Sequence, residues 1–403
     1  MSLTQPFYLE ADEAPKLPHG WKYLATEDAT EKLKPGKLFD KKSSQASGRV
    51  PVLSQGQTDF VGYHDEEPGV QATQGRPVVT FANHTCAMRF MTSPFSCIQN
   101  IFPKVGKPGI IDTRYFFYAA LGRVSLSDYK GHHPLFRQAL IPVPPLETQQ
   151  RIAAILGTYD DLIEVNRRRI AALEEMARRL FEEWFVRFRF PGHEDVPIVG
   201  APDGPLPEGW EWVNLYDAAE VGFGFAFKSK AFSTEPVGAR VVRIRDVQEG
   251  RTSTWTPEEF ADRYCVRNGD ILVGMDGNFH TNVWVGGDAA LNQRVTRLRP
   301  TLARSSGWLL QAVKPKIKFF EDTISGTTVA HLGAKHLKTI YLPVADDETQ
   351  RQADAFFSPV DEELVNLHVA NEKLAASRDL LLPRLISGQL SVEIAERELE
   401  DAA

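Results

Sequence analysis

Few side chains in this sequence are spaced for covalent chemistry, and most of those that stand out suit recognition rather than reaction. His132-His133 with His84 is the nearest approach to a metal set. No carboxylate or Cys stands at ligand spacing beside them, so loop histidines are the plainer reading. Gly222-Phe223-Gly224 lacks the third glycine of a cofactor loop, and no GxxxxGK[ST] string is present. No Asn/Asp-Pro-Pro-Tyr/Phe string marks an amino-methyltransferase either. The expectation is a chain with no catalytic residue, no metal and no cofactor of its own.

What remains are side chains able to pair with base edges or phosphates. Gln55 and Gln57 lie in a polar loop near Gly62-Tyr63, and a Gln amide matches adenine, so Gln55, Gln57 and Tyr63 are candidates. Lys228 and Lys230 flank Ser229 in a Gly/Phe-rich loop, either as a phosphate clamp or as solvated charge. Arg243 and Arg245 alternate on an expected strand and so share a face, again solvated or turned to a base. Met275-Asp276-Gly277-Asn278-Phe279-His280 follows a strand as a polar tip, and Phe81-Ala82-Asn83-His84-Thr85 aligns with it. Asn83, His84, Asn278 and His280 join the candidates. Gln293-Arg294 aligns with Gln99-Asn100. Arg294 is a further candidate, while the glutamines suit a structural role at strand ends. Arg167-Arg168-Arg169 reads as a solvated helix face or a contact with DNA or a partner.

The elements that must position these residues come in two copies. Leu17-Pro18-His19-Gly20-Trp21 returns as Leu206-Pro207-Glu208-Gly209-Trp210, and Glu147-Thr148-Gln149 returns as Glu348-Thr349-Gln350. These matches occur in order, and the offset between copies only rises. The period is too long for a solenoid. Each copy mixes short β-rich runs with Gly, Pro and Asn breaks and then enters a helix. In the first helix apolar residues recur at 152, 156, 159, 163, 170, 173, 177, 180 and 184, with Asn166 filling the one gap. The second seam runs Phe357, Val360, Leu364, Leu367, Leu374, Leu381 and Leu385, with Asn371 and Arg378 on it. Pro359 and Pro383 predict a kink or late start near 359 and fraying near 383. Asn166 and Asn371 occupy opposite heptad phases, so facing antiparallel helices place them in one layer, where they fix the register. The same layering sets Arg378 over the Tyr159 ring. The alternative is two separate amphipathic helices, each packed on its own domain.

The boundaries expected are a module over 1–146, a central helix over 147–190, a linker over 191–205, a module over 206–345, a distal helix over 346–390 and an acidic tail over 391–403. The fold class is α+β: two globular mixed α/β modules, pseudo-twofold related, separated by two long helices in an antiparallel coiled coil. The net charge of −7 hides an asymmetry. Residues 1–146 and 206–345 carry +3 and +2, while residues 147–205 and 346–403 carry −3 and −9. Local positive charge is all that phosphate contacts require. The tail reads as a solvated end or a subunit contact. Three cysteines without a CxxC pair and no long apolar run point to a reducing, cytoplasmic setting without a membrane span.

This organisation resembles the specificity subunit of type I restriction–modification systems. The resemblance rests on the two Leu-Pro-x-Gly-Trp openings, Ile141-Pro142-Val143-Pro144-Pro145-Leu146-Glu147-Thr148-Gln149, and Asn166 with Leu173, Met176, Ala177, Leu180, Phe181 and Trp184-Phe185-Val186. It also rests on Arg378 through Gly388, on Gly274 through Phe279 and on Leu291-Asn292-Gln293-Arg294-Val295. It implies that each module is a target-recognition domain reading half of a bipartite site in double-stranded DNA. It implies paired helices that set the spacer and dock two methyltransferase subunits, with restriction subunits completing the complex. S-adenosylmethionine and ATP belong to those partners. The competing readings are a stand-alone sequence-specific DNA-binding protein, an enzyme with unrecognised motifs, and a coiled-coil scaffold that ignores DNA.

Overall fold

The computed structural model describes residues 15–56, 59–126, 131–301, 305–324 and 330–400. The chain forms two compact units, Met1–Leu162 with Leu374–Ala403, and Ile163–Lys373. Each contains one module. Val78–Ala82 and Ile271–Gly274 are short, mainly apolar runs with every residue buried, as a strand covered on both faces requires. Val78–Ala82 pairs antiparallel with Met88–Met91 on one side and Ile101–Gly106 on the other, and Thr30–Lys32 adds a fourth strand beyond the latter. Ile271–Gly274 pairs antiparallel with Thr281–Val283 and Val295–Pro300, with Ala219–Phe223 as the fourth strand.

A second sheet joins each module. Val50–Leu53 lies parallel to Ser96–Cys97 and antiparallel to Phe60–His64. Ala239–Val242 lies parallel to Ala289–Leu291 and antiparallel to Trp255–Thr256. The first and last strands of each module also pair, Lys22–Ala25 with Leu140–Val143 and Glu211–Asn214 with Tyr341–Val344. The internal repeat is therefore one strand arrangement used twice, with one addition in the second module, where Cys265–Val266 pairs antiparallel with Ala289–Leu291 as a further strand. Register carries the correspondence to single residues: Ala82 opposes Ile101 in one module, and Gly274 opposes Val295 in the other. Asn83 thus matches Met275, His84 matches Asp276, and Asn100 matches Arg294.

The central helix runs Leu146–Phe181 and the distal helix Asp347–Ile386. In the second unit Asn166 Nδ2 donates to Asn371 Oδ1 at 2.9 Å, and Arg169 meets Glu363 at 2.6 Å. In the first unit Arg378 pairs with Asp160 and, at 2.7 Å, with Asp379. Residue numbers rise along one helix as they fall along the other, so the two run antiparallel within each unit. Ile152, Leu156 and Leu385 are buried on this seam in the first unit, and Ile170, Ala177, Phe357, Val360 and Leu367 in the second. The asparagine layer expected from heptad phase is present.

Several expectations need correction. The distal helix neither starts late at Pro359 nor frays at Pro383. It begins at Asp347, where Asp346 Oδ1 accepts from the Glu348 and Thr349 N–H groups, and it continues to Ile386. Each proline forfeits a helical hydrogen bond, but Phe357, Val360, Leu382, Leu385 and Ile386 are buried around them, and that packing offsets the roughly 3 kcal/mol cost. Arg378 was expected over Tyr159, and its guanidinium instead engages carboxylates. The chain beyond Ser391 is not a solvated end: Val392–Glu400 is a helix whose Val392 and Ala395 are buried in the first core, and Arg151 bonds Glu393 at 2.8 Å and Glu396 at 2.6 Å. A π-helical turn at Glu182–Val186 ends the central helix, and Phe190 then packs on Trp210.

Candidate nucleic-acid interface

In the second module the buried strand ends at Gly274, and the chain makes a hairpin that returns at Thr281. Gly277 takes φ +70°, a conformation open to glycine, and Phe279 is buried as the anchor of the tip. Gly274 N–H donates to His280 O at 2.9 Å, Met275 N–H to Arg294 O at 3.0 Å, and Leu332 N–H to Met275 O at 2.8 Å. The tip is thereby tied on three sides. Beside it opens a cleft of about 530 Å³ lined by Arg243, Ile244, Arg245, Asp276, Asn278, His280, Asn292 and Arg294. Five of the residues singled out in the sequence, Arg243, Arg245, Asn278, His280 and Arg294, meet here.

Arg243 and Arg245 do not alternate on a strand. The strand stops at Val242, and Ile244–Val247 is a short helical turn. The Asp246 carboxylate explains the switch: it accepts from the Arg243 N–H at 2.9 Å, from the Arg243 guanidinium at 3.1 and 3.3 Å, and from Thr252 Oγ1 at 3.0 Å. A carboxylate three residues downstream is a helix-start signal that outweighs the β-rich run before it. Arg243 is fixed as part of the wall, whereas Arg245 is exposed. Lys228 and Lys230 are exposed around the 3₁₀ turn Ser229–Ala231, and they do not line the cleft.

The first module builds its tip differently. Gln55 spends its amide as a clamp: Nε2 donates to Gln99 O at 3.0 Å, and Oε1 accepts from the His84 N–H at 3.3 Å. Thr85 Oγ1 also donates to Gln55 O. Gln57 lies outside the described residues. Asn83 is likewise occupied, its Oδ1 accepting from His133 N–H at 2.8 Å and its carbonyl from His132 N–H at 3.0 Å. Tyr63 is half-buried against Phe60 and lines a separate hollow with Lys41, Ser44 and Gln45. His84 and Asn100 are exposed, and Asn100 Nδ2 lies 3.2 Å from His84 Nε2.

Asn100 and Asp276 were missed in the sequence. The signal for Asn100 was available, because Gln99-Asn100 aligns with Gln293-Arg294. In the second module Asp276 Oδ2 lies 3.3 Å from Arg294 Nε, and Asp276 Oδ1 lies 2.6 Å from His331 Nδ1. The matched positions 84/100 and 276/294 therefore face each other in both modules.

A cationic group adjoins the first tip. His133 stacks on Phe102 at 3.6 Å, Lys32 Nζ stands over the same ring at 5.3 Å, and Lys104, two residues along the same strand, is buried. Burial, reinforced by Lys104, Lys32 and Arg137, pushes His133 down to about 4, so it stays neutral near pH 7. Burial and then Arg137 push Lys104 down to about 8. Among the described residues no group of three His, Cys, Asp or Glu is placed to hold a metal ion, and no helix is long and apolar enough to cross a membrane.

Two copies of a mixed α/β module, each raising a polar tip and each followed by a long helix, define a duplicated scaffold. The sequence model of the type I restriction modification DNA specificity domain matches it twice, over residues 18–175 and 207–373, and the chain belongs to that family. It is similar to the EcoBI specificity subunit of Escherichia coli, 29% identical over 193 residues. That match covers 47% of this chain and 41% of the relative's own length. It is also similar to the MjaIX specificity subunit of Methanocaldococcus jannaschii, 24% identical over 315 residues, which cover 73% of this chain and 72% of that one. Its fold is like that of the type I restriction-modification system S subunit from M. genitalium, with a TM-score of 0.54 at 16% identity over 92% of this chain and 98% of that one.

Proposed function

We propose that this chain is the DNA sequence-recognition subunit of a type I restriction–modification complex and is itself non-catalytic. Each module reads one half of a bipartite site in double-stranded DNA, and the paired helices set the spacer and dock two methyltransferase subunits. S-adenosylmethionine and ATP reside on the methyltransferase and restriction partners. The observation that carries the reading is the duplicated tip: one topology, used twice, presents exposed polar and cationic side chains at the same strand end. A single reader would need only one. Asn278, His280 and Arg294 face the open cleft beside their tip as base contacts, with Arg245, Lys228 and Lys230 supplying phosphate contacts. Arg243, Gln55 and Asn83 serve by bracing the tips.

The test is binding to a randomised duplex library, with the chain alone and with its methyltransferase subunits, at one fixed salt concentration. A consensus of two short blocks separated by an unspecified gap of constant length is the expected outcome, sharper when the methyltransferase is present. A single contiguous block, or tight and specific binding by the isolated chain that the methyltransferase leaves unchanged, refutes the proposal.

A further inference from the structure

The matched pairs 276/294 and 84/100 carry more than their separate contacts suggest. They occupy one point on one frame, yet they hold Asp–Arg in one module and His–Asn in the other. A partly exposed ion pair such as Asp276–Arg294 adds little to stability. A carboxylate in a cleft meant for DNA also repels phosphate. Asp276 is therefore costly there unless it holds something in place, and it is itself gripped by His331.

The donor inventory identifies what is held. A guanidinium has five N–H groups. Arg243 has its Nε and one Nη on Asp246, so its fork is turned inward. Arg294 meets Asp276 through Nε, and its Nη groups have no hydrogen-bond partner among the described residues. The free end is the fork that matches guanine O6 and N7. Arg245 is exposed with no partner among the described residues and has no comparable brace. In the first module Asn100 takes φ +64°, a left-handed conformation that asparagine tolerates better than most residues. Its Nδ2 spends one N–H on His84 Nε2, which leaves the other N–H and Oδ1. That donor–acceptor couple matches adenine N7 and N6.

We propose that positions 294 and 100 are equivalent base readers: Arg294, braced by Asp276, reads a guanine in one half-site, and Asn100, braced by His84, reads an adenine in the other. This rests on the DNA-reading function proposed above. Asp276 and His84 act as positioning residues, and His331 orients Asp276 in turn.

The experiment is duplex selection by the full chain assembled with its methyltransferase subunits, comparing wild type with Arg294→Ala, Asn100→Ala, and Arg294→Asn combined with Asp276→His. Arg294→Ala is expected to flatten one guanine in one half-site, lowering its preference roughly ten- to hundredfold, and to leave the other half-site intact. Asn100→Ala is expected to flatten one adenine in the opposite half. The double variant, which places the first module's pair in the second, is expected to turn that guanine into adenine. Asp276→Asn is expected to weaken the guanine preference with Arg294 still present, an effect that a merely structural role would spread over every position. If wild type yields a consensus that Arg294→Ala and Asn100→Ala leave unchanged, the DNA-reading function stands and this assignment falls. If wild type yields no consensus, the function beneath it falls as well.

Discussion

Lys104 offers a sharp test of how the first module is assembled. It lies on a core-facing position of Ile101–Gly106 and is 4% exposed, and among the described residues its ammonium finds one hydrogen-bond acceptor, Thr30 Oγ1 at 3.4 Å. The register places it where the second module has the fully buried Leu298. Burial, followed by the neighbouring Arg137, pushes its pKa from 10.5 to about 8. The unfolded chain therefore binds more protons than the folded one between those values, so stability from this group rises with pH through that window. Below pH 8 the full cost stands, about 3 kcal/mol at about 1.4 kcal/mol per tenfold change in proton affinity. Lys104→Met keeps the unbranched stem and removes the charge. It is expected to stabilise the first unit by about 1–3 kcal/mol at pH 7, raising its melting temperature by about 2–12 °C. The gain is expected to shrink towards zero as pH approaches 10.5. Calorimetric melting of both proteins at pH 7 and pH 10.5 decides it. A lower melting temperature at pH 7, or a gain that persists at pH 10.5, refutes the reasoning.

Asn371→Ala leaves the Asn166 amide without its partner and is expected to cost about 1–2 kcal/mol, read as a fall in the urea midpoint of the second unit. Asn166→Leu with Asn371→Leu is expected to recover that loss, and a double variant weaker than the single one would contradict the shared layer. Ala395→Asp places a charge where Ala395 is 1% exposed, and hydrogen exchange over residues 392–397 is expected to rise towards that of free peptide. Protection unchanged from wild type would mean that this helix does not depend on the core.

The sequence made long-range regularities legible and local competitions much less so. The Asn166–Asn371 layer was visible because heptad phase is set by many apolar residues at once, and any other register would strand two amides. The repeat was visible because short strings such as Glu-Thr-Gln do structural work: Gln149 is buried and donates to Pro144 O at 2.8 Å and Ile110 O at 3.0 Å. Arg243, Gln55 and Asn83 were legible as polar residues near the tips, but not as braces. Their occupation depends on partners such as Asp246, Gln99 and His133, which only the fold brings close. Pro359 and Pro383 misled for the same reason, since burial of their neighbours outweighs a local penalty. Asp276 was passed over because its contacts with Arg294 and His331, 18 and 55 residues further along the chain, exist only once the fold brings those segments together.

The division of the chain has a consequence for biosynthesis. The second unit, Ile163–Lys373, is one uninterrupted stretch and can close on the ribosome as soon as it has emerged. The first unit draws on Leu374–Ala403 as well as on the stretch before Ile163, and Leu385, Leu390 and Val392 fill its core. Its nascent apolar surface must wait through some two hundred intervening codons before its missing wall arrives. Of the two units, the one begun earlier therefore closes later, and its apolar surface is open to chaperones and proteases in the interval.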